Sequence, residues 1–163
     1  MYVIFVSSLN ENVKLAKRLQ NQLKEFNKES EIINVVTLNL PMYDTHKEEH
    51  EGIPHEAKKL NEKMKSSDGF IMVAPEYNFS VPPVLANMIV WVSRVDEDFR
   101  EPFKGKLVQL ATHSGGGGND LMDVMRMQLT KLGSIVMPNE IITTYQKEYM
   151  EQSVKDIIKE FIS

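Results

Sequence analysis

The 163-residue chain contains no cysteine. Disulfides, thiol nucleophiles and cysteine-held metals are therefore excluded together, and the composition suits a reducing compartment. Positive charge is not in excess either, since 19 Lys and Arg stand against 23 Asp and Glu, for a formal net charge of −4. A nucleic-acid surface needs basic residues clustered on one face, so no nucleic-acid partner is expected. The mixed-sign runs Lys47–Glu51 and Arg94–Glu101 read as solvated loops. Long apolar runs are missing as well, and nothing approaches the ~20 residues of a membrane span. The run Tyr2–Val6 is too short for a signal-peptide core and follows no basic stretch. A cytoplasmic protein without a membrane partner is the expectation. At this length one domain, residues 1–163, can bury roughly 70% of its unfolded surface without a staple.

What the chain does have is an end-to-end alternation of strand-like and helix-like segments. Tyr2–Val6 and Phe70–Ala74 are continuous apolar runs, as in strands covered on both faces. Ile32–Leu38 and Lys106–Thr112 read as further strands, and Ser134–Met137 as the start of a fifth. Between them, helical spacing appears in Leu15, Ala16, Leu19, Leu23 and Phe26, in Ala57, Leu60 and Met64, and in Leu121, Met122, Met125, Leu129 and Leu132. Val154, Ile157, Ile158 and Phe161 mark a last helix, while Pro41–Pro54 reads as a polar loop. This pattern predicts an α/β fold: a three-layer sandwich with a five-stranded parallel sheet and helices on both faces. Two such folds compete, the flavodoxin-like one with strand order 2-1-3-4-5 and half of a dinucleotide-binding unit. The second requires G-x-G-x-x-G directly after the first strand. That turn here is Ser7-Ser8-Leu9-Asn10-Glu11-Asn12, without a glycine, and no G-x-x-x-x-G-K-[ST] phosphate loop occurs anywhere.

In a parallel sheet of this kind ligands lie beyond the carboxyl ends of the strands. Three loops there carry chemistry. The first turn offers the hydroxyls of Ser7 and Ser8, the amides of Asn10 and Asn12, and the open N–H groups of a helix start, which together suit a phosphate. The same residue types also make ordinary helix caps. The second loop, Pro75-Glu76-Tyr77-Asn78, presents a ring face and an amide between prolines that limit its motion. In the third, Thr112-His113-Ser114-Gly115-Gly116-Gly117-Gly118, the glycines let backbone N–H groups approach a ligand closely. Each loop could touch a different part of one flat, phosphorylated molecule. The H-x-x-E-H match at His46–His50 is discounted because it falls in a loop-like stretch without a third ligand, so no metal is expected. His55 reads as a helix-start residue, and the methionines from Met122 to Met127 as core filling.

Val81–Val92 is apolar nearly all round, with Val84, Leu85, Met88, Ile89 and Val92 on one side and Ala86, Val90 and Trp91 on another. The second side is expected to be covered by another subunit, in a homodimer or homotetramer.

The string Pro75–Asn78 followed by S-x-P-x-x-L-x-N-x-I-x-W-x-S-R over Ser80–Arg94 resembles the NADPH-dependent FMN reductase family, a flavodoxin-like group that includes chromate, quinone and azoreductase-like enzymes. Leu40–Asp44, Ile53-Pro54 and Ser114-Gly115-Gly116 extend the likeness over essentially the whole chain. The resemblance implies FMN with its phosphate on Ser7, Ser8, Asn10 and Asn12, and its ring between Pro75, Glu76, Tyr77 and Asn78 on one side and Ser114, Gly115, Gly116 and Gly117 on the other. It further implies an oxidoreductase in which NADPH or NADH reduces the flavin and a quinone or similar small acceptor takes the electrons by a ping-pong scheme, with no catalytic side chain required. The first turn departs from the family's G-S-x-R pattern, being about three residues shorter, without arginine and with Glu11 added. Ala86 and Val90 stand where Lys and Asp are common. Weaker FMN binding follows, and the alternative is a flavodoxin-like binding or regulatory protein that has given FMN up. An electron-carrier flavodoxin fits less well, because the Thr/Ser-rich phosphate loop and strongly acidic surface of that group are missing.

Overall fold

Continuous apolar runs form the centre of the sheet, where both faces are covered. In a computed structural model describing residues 1–163, β1 (Tyr2–Val6) and β3 (Gly69–Val73) are buried at every position. β2 (Ser30–Asn34) and β4 (Leu107–Ser114) flank them, and all pairings are parallel. With β5 at Ile135–Val136, the strand order is β2-β1-β3-β4-β5, as the flavodoxin-like reading requires. One face is packed by α3 (His55–Ser66), α4 (Pro83–Val92) and α5 (Asn119–Lys131), where Phe5, Phe70 and Leu110 meet Met64, Met88 and Met125. The other is packed by α1 (Glu11–Glu25) and α6 (Glu151–Phe161), where Ile4, Val73 and Ala111 meet Leu15, Leu19, Ile158 and Phe161. Alternate residues of each strand serve opposite layers, as the period of a strand dictates.

Three elements differ from the sequence pattern. β2 was expected over Ile32–Leu38 but spans Ser30–Asn34, because Asn34 ends it. The Asn34 Oδ1 accepts from its own Val36 N–H at 3.0 Å, an Asx-type turn, while Nδ2 donates to the Ser8 carbonyl at 2.9 Å. Val35 then enters the core as a turn residue.

Within the expected polar loop lies a helix, α2 (Thr45–Glu51), with no buried residue. Asp44 caps it by accepting from Lys47 N–H at 2.8 Å. Its Glu48 is held by the Tyr43 hydroxyl at 2.9 Å and by Arg94 Nε at 3.0 Å. These bonds tie the segment to Arg94, just beyond the end of α4, and Trp91 of α4 itself makes a further tie. Its indole is fully buried, donates from Nε1 to the Pro41 carbonyl at 2.6 Å and meets the Tyr43 ring edge-on at 5.0 Å. Trp91 thus faces its own chain, not a second subunit: the segment Pro41–Tyr43 folds over it.

The third difference is a sixth strand. β5 (Ile135–Val136) and β6 (Ile141–Thr144) both pair with β4, at Leu107–Val108 and at Ala111–Ser114. They occupy one strand position, interrupted around Pro138, which cannot donate to a ladder. Gln109 of β4 spans the interruption with Nε2 donating to the Asn139 carbonyl at 2.7 Å.

Candidate functional site

The three loops singled out above meet at the carboxyl edge of β1, β3 and β4. After β1, Ser7 is buried with its hydroxyl on the Val73 carbonyl at 3.3 Å, and Ser8 is buried with its carbonyl taken by Asn34. The backbone N–H groups of Ser8, Leu9, Asn10, Glu11 and Asn12 find no acceptor within the protein. Asn10 stands at the N-cap of α1 but makes no side-chain cap bond, so the capping role open to it is not taken. A run of free donors at a positive helix end is an anion cradle. Asn12 behaves differently. Its Nδ2 donates to the His113 carbonyl at 2.9 Å and its Oδ1 accepts from His113 N–H at 2.7 Å, a two-point tie across 101 positions. Both ends of that amide are committed to holding the first turn against β4. Glu11 is paired with Lys14 at 2.6 Å, and this hydrogen bond holds its carboxyl below the ordinary value and raises the Lys14 ammonium. The charge added to the turn is thereby balanced.

After β3, Tyr77 and Ser80 exchange N–H···O bonds of 3.0 Å in both directions and close a tight turn. Asn78 and Phe79 sit at φ 48° and 62°, the type I′ conformation that favours Asn-Gly. Tyr77 is half exposed, at 51%, and Phe79 is 73% exposed. Glu76, Tyr77, Asn78, Val81 and Pro83 border an open hollow of about 650 Å³. A hollow of about 710 Å³ at the opposite, amino end of the sheet, lined by Lys24, Asn27 and Glu29 among others, touches none of these loops. Phenylalanine is a poor residue for a left-handed position, where the strain is about 1–2 kcal/mol. Phe79→Gly should therefore stabilise the protein by roughly 0.5–1 kcal/mol after the extra entropy of the unfolded chain is deducted. A rise of about 1–4 °C in thermal melts is expected, and a fall would mean that the exposed ring contributes contacts after all.

At the end of β4, Ser114 is buried, and its Oγ accepts from Gly116 N–H at 3.1 Å. The N–H groups of Gly115, Gly117 and Gly118 have no acceptor within the protein, and a side chain built on Gly115 would meet nothing within 4 Å. Gly118 is the N-cap of α5 at φ 80°. Glu76 reaches this loop from β3: its Oε2 accepts from Leu121 N–H at 3.2 Å and its Oε1 lies 3.4 Å from the Ser114 hydroxyl. Of the pattern-selected residues, Asn10, Ser8, Tyr77, Asn78, Gly115 and Gly117 offer free groups or open space, whereas the Gly116 N–H is taken by Ser114. Ser7, Asn12, Glu76 and Ser114 are engaged with the protein. Asn34 and Leu121 were not signalled as site residues by any motif, because each acts through a long-range bond. His46 and His50 of the discounted motif stack on α2 with ring centroids 4.0 Å apart.

A parallel sheet of this order with an anion cradle at its first helix and a glycine loop opposite a turn-held tyrosine defines a flavodoxin-like protein. Residues 2–148 match the NADPH-dependent FMN reductase family, and the chain belongs to it. That family uses FMN and a nicotinamide cofactor. The quinone reductase of Escherichia coli (strain K12) is 38% identical over 101 residues, 61% of this chain and 52% of that protein. The chain thus spans about half the length of that curated relative. The fold is shared with FerB, a flavoenzyme NAD(P)H:(acceptor) oxidoreductase from Paracoccus denitrificans, at a TM-score of 0.79 and 23% identity over 99% of this chain and 94% of that one. It is shared too with the two-electron reduced flavodoxin of Megasphaera elsdenii, at a TM-score of 0.68 and 15% identity over 98% and 99% of the two chains.

Proposed function

We propose that the chain binds FMN at the three loops and acts as an NAD(P)H-dependent reductase of a quinone or similar small acceptor. The observation that carries the reading is the run of unpartnered N–H groups from Ser8 to Asn12, which fits a phosphate dianion without the arginine its turn lacks. Ser8 and Asn10 would add side-chain donors, and Asn12 would keep the cradle in register with β4. Pro75, Tyr77 and Asn78 would lie along the ring on one side, with Gly115, Gly116 and Gly117 on the other. FMN, when bound, supplies the capacity to accept a hydride and pass its electrons on.

The protein's contribution is orientation and fixed dipoles. The Tyr77 N–H already donates to Ser80, so the donors left to stabilise negative charge on a reduced ring are those of Asn78, Gly115 and Gly117. No acid or base side chain is assigned. Donor and acceptor using one hollow in turn would give ping-pong kinetics, seen as parallel steady-state lines; intersecting lines from flavin-loaded protein would replace that scheme.

The α4–α5 face carries a hollow of about 680 Å³ bordered by Val81, Val90, Phe99 and Met127, with Phe99 and Met127 half exposed. This supports a homodimer or homotetramer through that face, and the lack of cysteine favours a cytoplasmic location. A monomeric mass by light scattering at micromolar concentration would remove the assembly.

The functional reading is tested by a visible absorption spectrum and an FMN titration read by flavin fluorescence. Saturable quenching is the expected result, and riboflavin, which lacks the phosphate, should bind more weakly. No flavin band and no quenching would leave a flavodoxin-like protein that binds something else, the outcome to which Glu11 and the missing arginine would point.

A further inference from the structure

We propose that Glu76 is a positioning residue: its carboxylate bolts the loop after β3 to the glycine loop after β4 and so fixes the gap between them. The inference rests on the FMN reading for what the gap holds, but the bolt itself is visible without a ligand. One carboxylate oxygen accepts from Leu121 N–H at 3.2 Å, and the other faces the Ser114 hydroxyl at 3.4 Å. Ser114 Oγ accepts in turn from Gly116 N–H at 3.1 Å. Donors therefore converge on Glu76 from two sides: the glycine loop through Ser114, and Leu121 in the first turn of α5.

The start of α5 explains why the bolt is needed. Its N-cap is Gly118, which has no side chain to cap the first turn. Glu76 supplies the missing acceptor from 45 positions away, and its negative charge sits at the positive end of the helix. The fit is close, since a Cβ on Gly116 would lie 3.2 Å from Glu76 Oε1. A carboxylate used this way is poorly suited to touch the ring itself, because a reduced flavin gathers negative charge that it would repel. Glu76 therefore acts through the two loops. Asn12 holds the first turn to His113, one residue before Ser114, so the three loops share a single rigid frame.

The test compares Glu76→Ala and Glu76→Gln with the unaltered chain. In protein free of flavin, amide hydrogen exchange at Gly116 and Leu121 should quicken roughly tenfold in Glu76→Ala relative to Val108 in β4. Glu76→Gln keeps an oxygen for Leu121 N–H, and should restore most of the protection there. Titrations with FMN and with riboflavin should both weaken about tenfold in Glu76→Ala, by the same factor, because the gap and not the phosphate cradle is disturbed. Unchanged exchange in Glu76→Ala would overturn the bolt. Faster exchange with unchanged affinity for both flavins would overturn the positioning role. Equal loss of affinity in both variants with exchange unchanged would make Glu76 a direct ring contact instead. If the unaltered chain bound neither flavin, the FMN reading would fall, and the exchange pattern alone would uphold or overturn the bolt.

Discussion

Replacing Gly118 by alanine should lower the melting temperature by roughly 6–12 °C, from a loss of about 3 kcal/mol at the shift per kcal/mol usual for a chain of this size. Two costs combine. Gly118 sits at φ 80°, and a side chain there costs about 1–2 kcal/mol. Its Cβ would also lie 2.9 Å from Thr112 Cγ2 and 3.3 Å from Ile142 Cγ2. Neither neighbour moves easily, since Thr112 is fully buried and its hydroxyl donates to the Ala74 carbonyl at 2.6 Å; overpacking of this kind adds about 1–3 kcal/mol. Gly115→Ala is the control, because nothing lies within 4 Å of the added atom. Thermal melts of both variants decide the matter, and a shift of under about 2 °C for Gly118→Ala would show that the loop relaxes around the methyl.

The second large effect is expected at Trp91. Truncation to alanine removes the largest fully buried side chain, at a cost of about 3–5 kcal/mol. It also frees the Tyr43 ring, although the Pro41 carbonyl keeps its bond from Asn87 Nδ2 at 3.0 Å. A fall of about 6–20 °C follows. Trp91→Phe retains an aromatic ring and gives up the indole N–H, so a smaller cost of about 1 kcal/mol is expected. Urea titrations would separate the two. An alanine variant within about 1 kcal/mol of the unaltered chain would mean that Pro41–Tyr43 does not depend on the indole.

These two residues also show how far a sequence of this kind can be read. The strands at the sheet centre are legible because burial on both faces leaves unbroken apolar runs such as Tyr2–Val6. From there the position of the ligand loops follows, since a parallel sheet puts every strand's carboxyl end on one edge. The α2 helix is not legible: Thr45–Glu51 has no apolar stripe, and it is held by Asp44, Tyr43 and Arg94 rather than by its own pattern. Apolar character misled at Trp91 for a related reason. Periodicity reports that a face is covered, not by what, and here a loop from 50 positions earlier does the covering.

Within the site, residue types were the guide and partners were hidden. Asn12 and Glu76 have the chemistry of ligand-binding groups, yet their bonds run to His113 and Leu121. Nothing in local spacing distinguishes an amide aimed at a ligand from one aimed at a neighbouring strand. The second strand's end was misplaced because Val35 and Val36 continue the apolar run after Asn34 has already turned the chain. The turn of Asn34 onto Val36 and the tertiary bond from Asn34 to Ser8 together mark the true boundary.

The interruption of the outermost strand position has a consequence for the protein's behaviour among copies of itself. A long exposed strand offers a row of unpaired N–H and C=O groups on which another chain can assemble. Here that margin is cut into a two-residue piece and a four-residue piece, with Pro138 between them and Gln109 drawing Asn139 inward. Neither piece is long enough to template a stable ribbon, so this edge of the sheet resists edge-to-edge aggregation.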